Sequence, residues 1–233
     1  MVSRELPYQP EEIDSLKEIR IESNFEHFVP EEFTQNPIHY FEQRGRNIKP
    51  GVVKRDESGT VREDPTAVKE FPIWTDTQGN QINVIGKRVN IEKAEVGESG
   101  DPFYEYEVMQ TVRSVGLPAV KPVATVEQQH THIIIMERAV GLGWYEITRE
   151  MLQEYNYTEA DIGDLHTQAN LMMEELKLDF AEAGIIRGWK LKDMIFDIDL
   201  ENKKINSITP TDWERTKIDT EQLERYKSSL EDS

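Results

Sequence analysis

The hydrophobic pattern of this chain changes its period near the middle, and this change limits the folds that it can adopt. Residues 51–90 contain short β-prone runs separated by turn-forming residues. A helix is predicted over residues 102–114, and two further β-prone runs follow it, Val120–Val126 and Ile133–Met136. The second of these runs is fully apolar, which is typical of a strand buried on both faces. The first half is therefore predicted to be a β-rich unit with one helix.

The second half of the chain is mainly helical. Apolar residues recur at helical spacing over residues 159–183, with Thr158 as the N-cap and Gly184 as the residue that ends the helix. A shorter helix precedes this one, a β-hairpin follows at residues 194–208, and a last helix is predicted near residues 220–230. This order of elements predicts an α+β protein of two lobes with a cleft between them.

Composition excludes several classes of protein. The chain has 27 Lys and Arg residues against 45 Asp and Glu residues, which gives a formal net charge of −18. Binding to a nucleic-acid backbone needs an excess of Lys and Arg, so this acidity argues against nucleic acid as a partner. The absence of cysteine excludes disulfides and thiolate metal sites and favours a reducing, cytoplasmic compartment. No long apolar run or apolar leader is present, so neither a membrane span nor a secretory signal is predicted.

The first fifty residues differ from the rest because they carry five of the eleven prolines. Residues 1–50 are predicted to be an N-terminal extension that packs on the domain surface or is partly disordered, with one short helix at Glu11–Ile21. The β-rich lobe then spans residues 51–138, and the helical lobe spans residues 139–233.

Several motifs between Val84 and Glu214 resemble the protein-kinase-like superfamily, in particular its small bacterial and archaeal members and the aminoglycoside phosphotransferases. The run VIGK resembles the strand that ends in the nucleotide-binding lysine, here Lys87, and Glu105 falls where the family has the glutamate that pairs with it. An ammonium that is held by a carboxylate can reach phosphate oxygens from a fixed position. The resemblance therefore implies a kinase-like two-lobed fold with Lys87 and Glu105 at a nucleotide site.

Two further runs carry the resemblance. The run IIIMERA resembles the buried strand and hinge, where the backbone of Glu137 and Ala139 would hydrogen-bond an adenine edge and Met136 would lie at the back of the pocket. The run ITPTDWE resembles the strand that ends in the metal-binding aspartate, here Asp212. ATP and Mg²⁺ are the cofactors that the resemblance implies.

The catalytic loop departs from the family pattern. Residues 184–196 (GIIRGWKLKDMIF) align without gaps on the pattern GIIHGDLKPDNIL, which puts Trp189 at the catalytic aspartate, Arg187 at the preceding histidine and Met194 at the metal-binding asparagine. Tryptophan cannot accept a proton from a substrate hydroxyl, and methionine is a poor ligand for Mg²⁺. A one-residue deletion would bring Asp193 to the asparagine position, but the base would still be missing.

Two other features point to a reduced member of the family. No Gly-rich phosphate loop is visible in the β-rich half. The stretch after Glu214 is too short for the activation segment and the later helices of a full protein kinase, so the second lobe is expected to be reduced.

Two of the candidate residues have rivals. Lys69 has a strand context that looks locally even better than that of Lys87, but its distance in sequence from Glu105 is long for the family. Glu107 competes with Glu105, and the core positions Met109 and Val112 on the same helix favour Glu105.

The remaining candidates have structural interpretations. His130 and His132 share one face of a strand but lack a third ligand nearby, so an edge strand is preferred over a metal site. His166 is interpreted as a structural histidine near the apolar face of the long helix. Trp189 either fills the emptied cleft or packs as core.

The leading hypothesis is a pseudokinase-like binding or regulatory protein in the cytoplasm, with a protein partner and with weak ATP and Mg²⁺ binding retained. The alternative is an active atypical phosphotransferase in which Asp193 or Asp197 substitutes for the missing base and Asp212 holds the metal. A third interpretation is an acidic α+β interaction protein outside this family.

Overall fold

The computed structural model describes residues 18–49, 54–55, 61–62, 66–90, 103–128, 131–213 and 215–231. These residues form a mixed α+β structure, as predicted, with most strands in the first half and the longest helices in the second. The α-helices of the described residues are α1 (Glu31–Gln35), α2 (Pro37–Arg44), α3 (Tyr104–Ser114), α4 (Arg149–Glu154), α5 (Glu159–Glu182) and α6 (Thr220–Glu231). No helix in this part of the chain is long and apolar enough to cross a membrane.

The strands of the first half are short apart from those at the centre of the main sheet. They are β1 (Glu18–Ile21), β2 (Arg46–Lys49), β3 (Lys54–Arg55), β4 (Val61–Arg62), β5 (Thr66–Glu70), β6 (Trp74–Thr75), β7 (Gln81–Ile82), β8 (Val84–Asn90), β9 (Pro122–Gln128) and β10 (Thr131–Glu137). Six of them form an antiparallel sheet in the order β1-β9-β10-β8-β5-β2.

The strands of the second half form two small sheets. They are β11 (Leu142–Gly143), β12 (Ile185–Ile186), β13 (Met194–Asp199), β14 (Lys204–Pro210) and β15 (Lys217–Ile218). The predicted hairpin is formed by β13 and β14, and β11 pairs with β13 on the side away from β14.

The apolar run of β10 is buried on both faces, as predicted, because side chains alternate across a strand and each face of the sheet is covered. Ile133 and Ile135 pack on one face with Phe41 of α2. Ile134 and Met136 pack in a second cluster with buried residues of α3. Since β8 pairs with β10, the residues of β8 are sorted between the same two faces.

Residues 18–49 contribute to the sheet-rich part of the structure. β1 and β2 are its two edge strands, and Phe33 of α1 and Phe41 of α2 are fully buried in the cluster on one face of the sheet. The prediction of a helix at Glu11–Ile21 is wrong for residues 18–21, which form β1, and the rest of that segment lies outside the described residues.

The prolines of this region start helices instead of interrupting structure. Pro30 is the N-cap residue of α1, and Pro37 is the first residue of α2, where the missing amide hydrogen costs nothing. The segment before residue 50 is well packed. The boundary between an extension and a domain at residue 50 stays a prediction.

The long helix α5 begins and ends where the sequence predicts. The Thr158 hydroxyl accepts a hydrogen bond from the Asp161 amide, and the Asp161 carboxylate accepts one from the Thr158 amide. At the other end Gly184 has a φ of +74°, a left-handed conformation that suits glycine. α5 packs against β14 and so supports the hairpin that leads to Asp212.

The prediction that His132 lies on an edge strand is wrong. Its strand, β10, lies between β9 and β8 and is central in the sheet. His132 is buried, and its Nε2 is 2.6 Å from the Thr125 hydroxyl oxygen, so it is satisfied inside the sheet. His130 lies outside the described residues.

Candidate functional site

Lys87 and Glu105 form a buried ion pair between the sheet and α3. The Lys87 Nζ donates to both carboxylate oxygens of Glu105, at 2.8 Å and 3.1 Å. Lys87 pairs with Ile134 across the strands and therefore lies on the face of the sheet that packs against α3. Glu105 lies in the first turn of α3, where the helix dipole favours a carboxylate.

Asp212 lies next to this pair, two residues after the end of β14. Its carboxylate is 3.7 Å from the Lys87 Nζ, and its side chain is 45% exposed, so it faces open space beside the pair. The next residue is tied to the same pair, because the Trp213 amide donates to Glu105 Oε1 at 3.4 Å. Three segments that are distant in sequence thus meet at one ammonium group.

The rival lysine is on the other face of the sheet. Lys69 pairs with Gly86, the neighbour of Lys87, and adjacent residues of a strand point to opposite faces. Its Nζ donates to the Glu42 carboxylate at 2.9 Å and to the backbone oxygens of Phe41 and Glu42, which lie in the last turn of α2. Lys69 therefore has a structural role away from Asp212.

The rival glutamate is also separate from the site. Glu107 is exposed and receives a hydrogen bond from Arg20 at 2.7 Å. Of the two pairs of candidates, the structure brings together Lys87 and Glu105.

The predicted hinge begins at the end of β10, and its residue Met136 lies on the same face of the sheet as Lys87. Met136 pairs with Ile85, so it lies two residues, or about 7 Å, along the sheet from Ile134 and its partner Lys87. Met136 is buried in the cluster under α3, and Ala139 packs against that cluster. The Glu137 amide donates to the Lys121 carbonyl oxygen at 2.8 Å, whereas the Ala139 amide donates no backbone hydrogen bond within the described part of the chain.

Trp189, which the sequence resemblance aligns with a catalytic aspartate, packs as core. Its ring makes an edge-to-face contact with Phe180 at a centroid distance of 5.2 Å. It is half-buried and contacts both the cluster under α3 and the cluster between α5 and the hairpin. Trp189 therefore joins two clusters, and its indole offers no proton acceptor.

Arg187 interacts electrostatically with Asp212 and is the residue whose role sequence reasoning missed. Only 7% of it is exposed, and its guanidinium carbon is 4.4 Å from the ring centre of Trp213 and 5.3 Å from that of Trp189. Its Nε donates to the Gly188 carbonyl oxygen at 3.3 Å, but its two terminal nitrogens have no hydrogen-bond partner among the described residues.

The charge of Arg187 survives this burial. Burial lowers the pKa of Arg187 to about 10, and the negative charges of Asp212, Asp193 and Glu105 oppose that effect. The guanidinium is thus protonated at neutral pH. The sequence offers one sign that Arg187 is buried: it follows two isoleucines and lies two residues before Trp189. A single sequence does not show which residues surround it.

Asp193 is brought to the neighbourhood of Asp212 by the hairpin. Met194 pairs with Pro210, and the Asp193 carbonyl oxygen accepts hydrogen bonds from the amide and the hydroxyl of Thr211, at 2.9 Å and 3.0 Å. Asp197 lies farther along β13, opposite Ser207, about 10 Å from the Met194 position. Of the two substitutes for the missing base, Asp193 is therefore the closer to Asp212.

The donors at this site do not fit a magnesium ion held by the protein. Mg²⁺ needs hard oxygen ligands in octahedral geometry. Met194, which the sequence resemblance aligns with a metal-binding asparagine, is 1% exposed and buried in the cluster between α5 and the hairpin. Within the described ranges, no group of three or more His, Cys, Asp or Glu residues could hold a metal ion.

The other candidate histidine has a structural contact. His166 lies on an exposed position of α5, with its ring edge-to-face against Trp144 at 4.8 Å.

Neither protein-family models nor curated proteins give a match to this chain. The site is therefore described by its own geometry. It contains two cations, Lys87 and Arg187, and three carboxylates, those of Glu105, Asp193 and Asp212. We refer to these five residues as the Lys87 site.

Proposed function

We propose that this chain is a kinase-like binding or regulatory protein that binds a nucleotide at the Lys87 site and does not carry out ordinary phosphoryl transfer. The observation that carries the proposal is the contact of Lys87 with both Glu105 and Asp212, beside a Trp189 that cannot act as a base. The proposal includes a two-lobed arrangement, with the lobes at residues 51–138 and 139–233 and a cleft between them.

The nucleotide is proposed to lie between the hinge and the ion pair. The Lys87 ammonium is held on both sides by carboxylates and would donate to phosphate oxygens. The backbone of Glu137 and Ala139 would hydrogen-bond the adenine edge, with Met136 as the back wall. The half-exposed position of Asp212 supports an open side of the site where the phosphates can enter.

The loss of phosphoryl transfer is argued from two positions. A substrate hydroxyl needs an acceptor for its proton, and the indole of Trp189 is none. Met194 supplies no oxygen to a metal ion, and it is buried in the core. A protein with these features would act by presenting its nucleotide-dependent conformation to a protein partner in the cytoplasm.

Thermal melting with ATP, ADP and adenosine tests the proposal. A ligand at a hundred times its dissociation constant stabilises the folded state by about 2.7 kcal/mol, which for a chain of this size raises the melting temperature by roughly 5–10 °C. We expect this shift with ATP and its loss in Lys87→Met, whereas Lys204→Met, at an exposed position of the hairpin, should keep it. No shift with any nucleotide at millimolar concentration contradicts the proposal.

A second candidate function is an active atypical phosphotransferase. It is favoured by the hydrogen bonds that hold Asp193 beside Thr211, the residue before Asp212. Phosphoryl transfer depends mostly on positioning and charge neutralisation, so a weak base does not forbid it. Nucleotide turnover that is lost in both Lys87→Met and Asp212→Asn would support this function, and no turnover by the wild-type chain would contradict it.

A further inference from the structure

Arg187 belongs to the Lys87 site, but the proposed function gives it no contact with the nucleotide, and only 7% of it is exposed. The guanidinium lies against the rings of Trp213 and Trp189, and its terminal nitrogens are closed off from solvent without a hydrogen-bond partner in the described residues. Burying a charge in this way is costly unless opposite charges compensate it. The compensation must therefore come from charges nearby.

Those charges are the carboxylates of the Lys87 site. Asp212, Asp193 and Glu105 all interact electrostatically with the Arg187 guanidinium. Lys87 alone would leave these three carboxylates with an excess of two negative charges, and Arg187 reduces the excess to one. A polyanionic ligand could not approach the uncompensated set without an added cation.

The carboxylates of this site do not form a metal site by themselves, because the described residues contain no group of three or more His, Cys, Asp or Glu residues that could hold a metal ion. Met194, which the gapless alignment puts at the asparagine position, is buried. A divalent cation placed at Asp212 and Asp193 would be repelled by the positive charge of Arg187, which interacts electrostatically with both carboxylates. The Arg187 side chain therefore already supplies positive charge that a divalent cation would otherwise supply.

We propose that Arg187 is an internal counter-ion that replaces the divalent cation at the Lys87 site, so that nucleotide phosphates bind there without a metal. The part of this inference that concerns nucleotide binding without a metal rests on the proposed function. Arg187 is a positioning residue, because its enclosed nitrogens cannot touch a ligand in this conformation. It acts by offsetting the negative charge of Asp212 and Asp193.

The first experiment uses the metal alone and needs no nucleotide. Binding of Mn²⁺ is followed by electron paramagnetic resonance and by the melting temperature. We expect no Mn²⁺ binding to the wild-type chain and a gain of binding in Arg187→Gln, which frees the two aspartates, with no gain in Arg187→Lys or in the exposed control Arg225→Gln. Mn²⁺ binding by the wild-type chain that is lost in Asp212→Asn overturns the inference, as does a folded Arg187→Gln variant that gains none.

The second experiment covers the case in which Arg187→Gln does not fold. The affinity of the wild-type chain for ATP is measured by calorimetry in EDTA and in Mg²⁺. We expect the two dissociation constants to agree within about threefold, and a value about tenfold or more tighter in Mg²⁺ overturns the inference. If ATP binds in neither condition, the proposed function and the metal-free binding of nucleotide both fail, while a Mn²⁺ gain in Arg187→Gln still supports the counter-ion role.

Discussion

At the scale of single residues, the ion pair of Lys87 and Glu105 holds the site together. Two side chains that are almost enclosed share a short, bidentate contact, and the Trp213 amide donates to the same carboxylate. Removing one partner of a buried pair leaves the other charge uncompensated, which costs more than the pair itself contributes. Asp212 lowers this cost, since it remains 3.7 Å from the lysine.

The first prediction follows from this pair. Glu105→Gln is expected to lower the free energy of unfolding by about 3 kcal/mol, at the lower end of the range for a broken buried pair. The matched change Glu107→Gln, at an exposed ion pair on the same helix, should lower it by less than about 1 kcal/mol. Urea denaturation measures both, and equal effects would show that the pair with Lys87 is not buried as described.

At the scale of elements, the start of α5 is stabilised by a charged cap. The Asp161 carboxylate accepts hydrogen bonds from Lys203 at 2.8 Å and from the Thr158 hydroxyl at 2.6 Å. These donors hold the pKa of Asp161 well below its usual range, with Lys203 as the largest cause. A depressed pKa gives stability that is present above the unfolded value of about 3.9 and is lost as the pH falls through the folded value.

The second prediction concerns this pH dependence. Asp161→Asn should be less stable than the wild-type chain at pH 7, and the difference should shrink when the pH falls below about 4. Asp164→Asn, at an exposed position of the same helix, is the matched change of charge for comparison. Urea denaturation across the acidic range provides the measurement, and a difference for Asp161→Asn that stays constant down to acid pH would contradict the role of the cap.

The helices before residue 50 also belong to this scale. α2 covers one face of the main sheet through Phe41, which is fully buried beside Phe71. The prolines of the first fifty residues are part of the reason to predict an extension, although the start of a helix, where Pro30 and Pro37 lie, is where proline is best tolerated. The burial of the aromatic residues between them could not be predicted, because it depends on strands that come later in the chain.

The third prediction tests whether this segment contributes to folding. Phe41→Ala is expected to lower the free energy of unfolding by about 3–5 kcal/mol, as for other large side chains removed from a core. Leu178→Ala, at an exposed position of α5, should change it by no more than about 0.5 kcal/mol. A small effect of Phe41→Ala in denaturation experiments would mean that residues 18–49 are an extension after all.

At the scale of the whole molecule, the sequence predicted what depends on spacing along the chain and missed what depends on neighbours in space. The caps of α5, the burial of β10 and the pairing of Lys87 with Glu105 follow from periodicity and from distance in sequence. The central position of His132 and the enclosure of Arg187 depend on the order of strands and on the meeting of three segments. Neither can be read from one sequence.

The net charge of −18 belongs to the same scale, because it makes a site for a polyanion difficult to build. Lys87 and Arg187 offset most of the local carboxylates. The rest of the acidic surface is consistent with the argument against nucleic acid and leaves a protein as the proposed partner.

The central claim is that the Lys87 site binds a nucleotide and leaves it intact. A crystal structure of the chain soaked with ATP tests this claim most directly. We predict an intact triphosphate with its adenine at Ala139 and its phosphates at Lys87, while Trp189 keeps its contact with Phe180. A cleaved triphosphate, a nucleotide bound elsewhere or a site that stays empty at saturating ATP would contradict it.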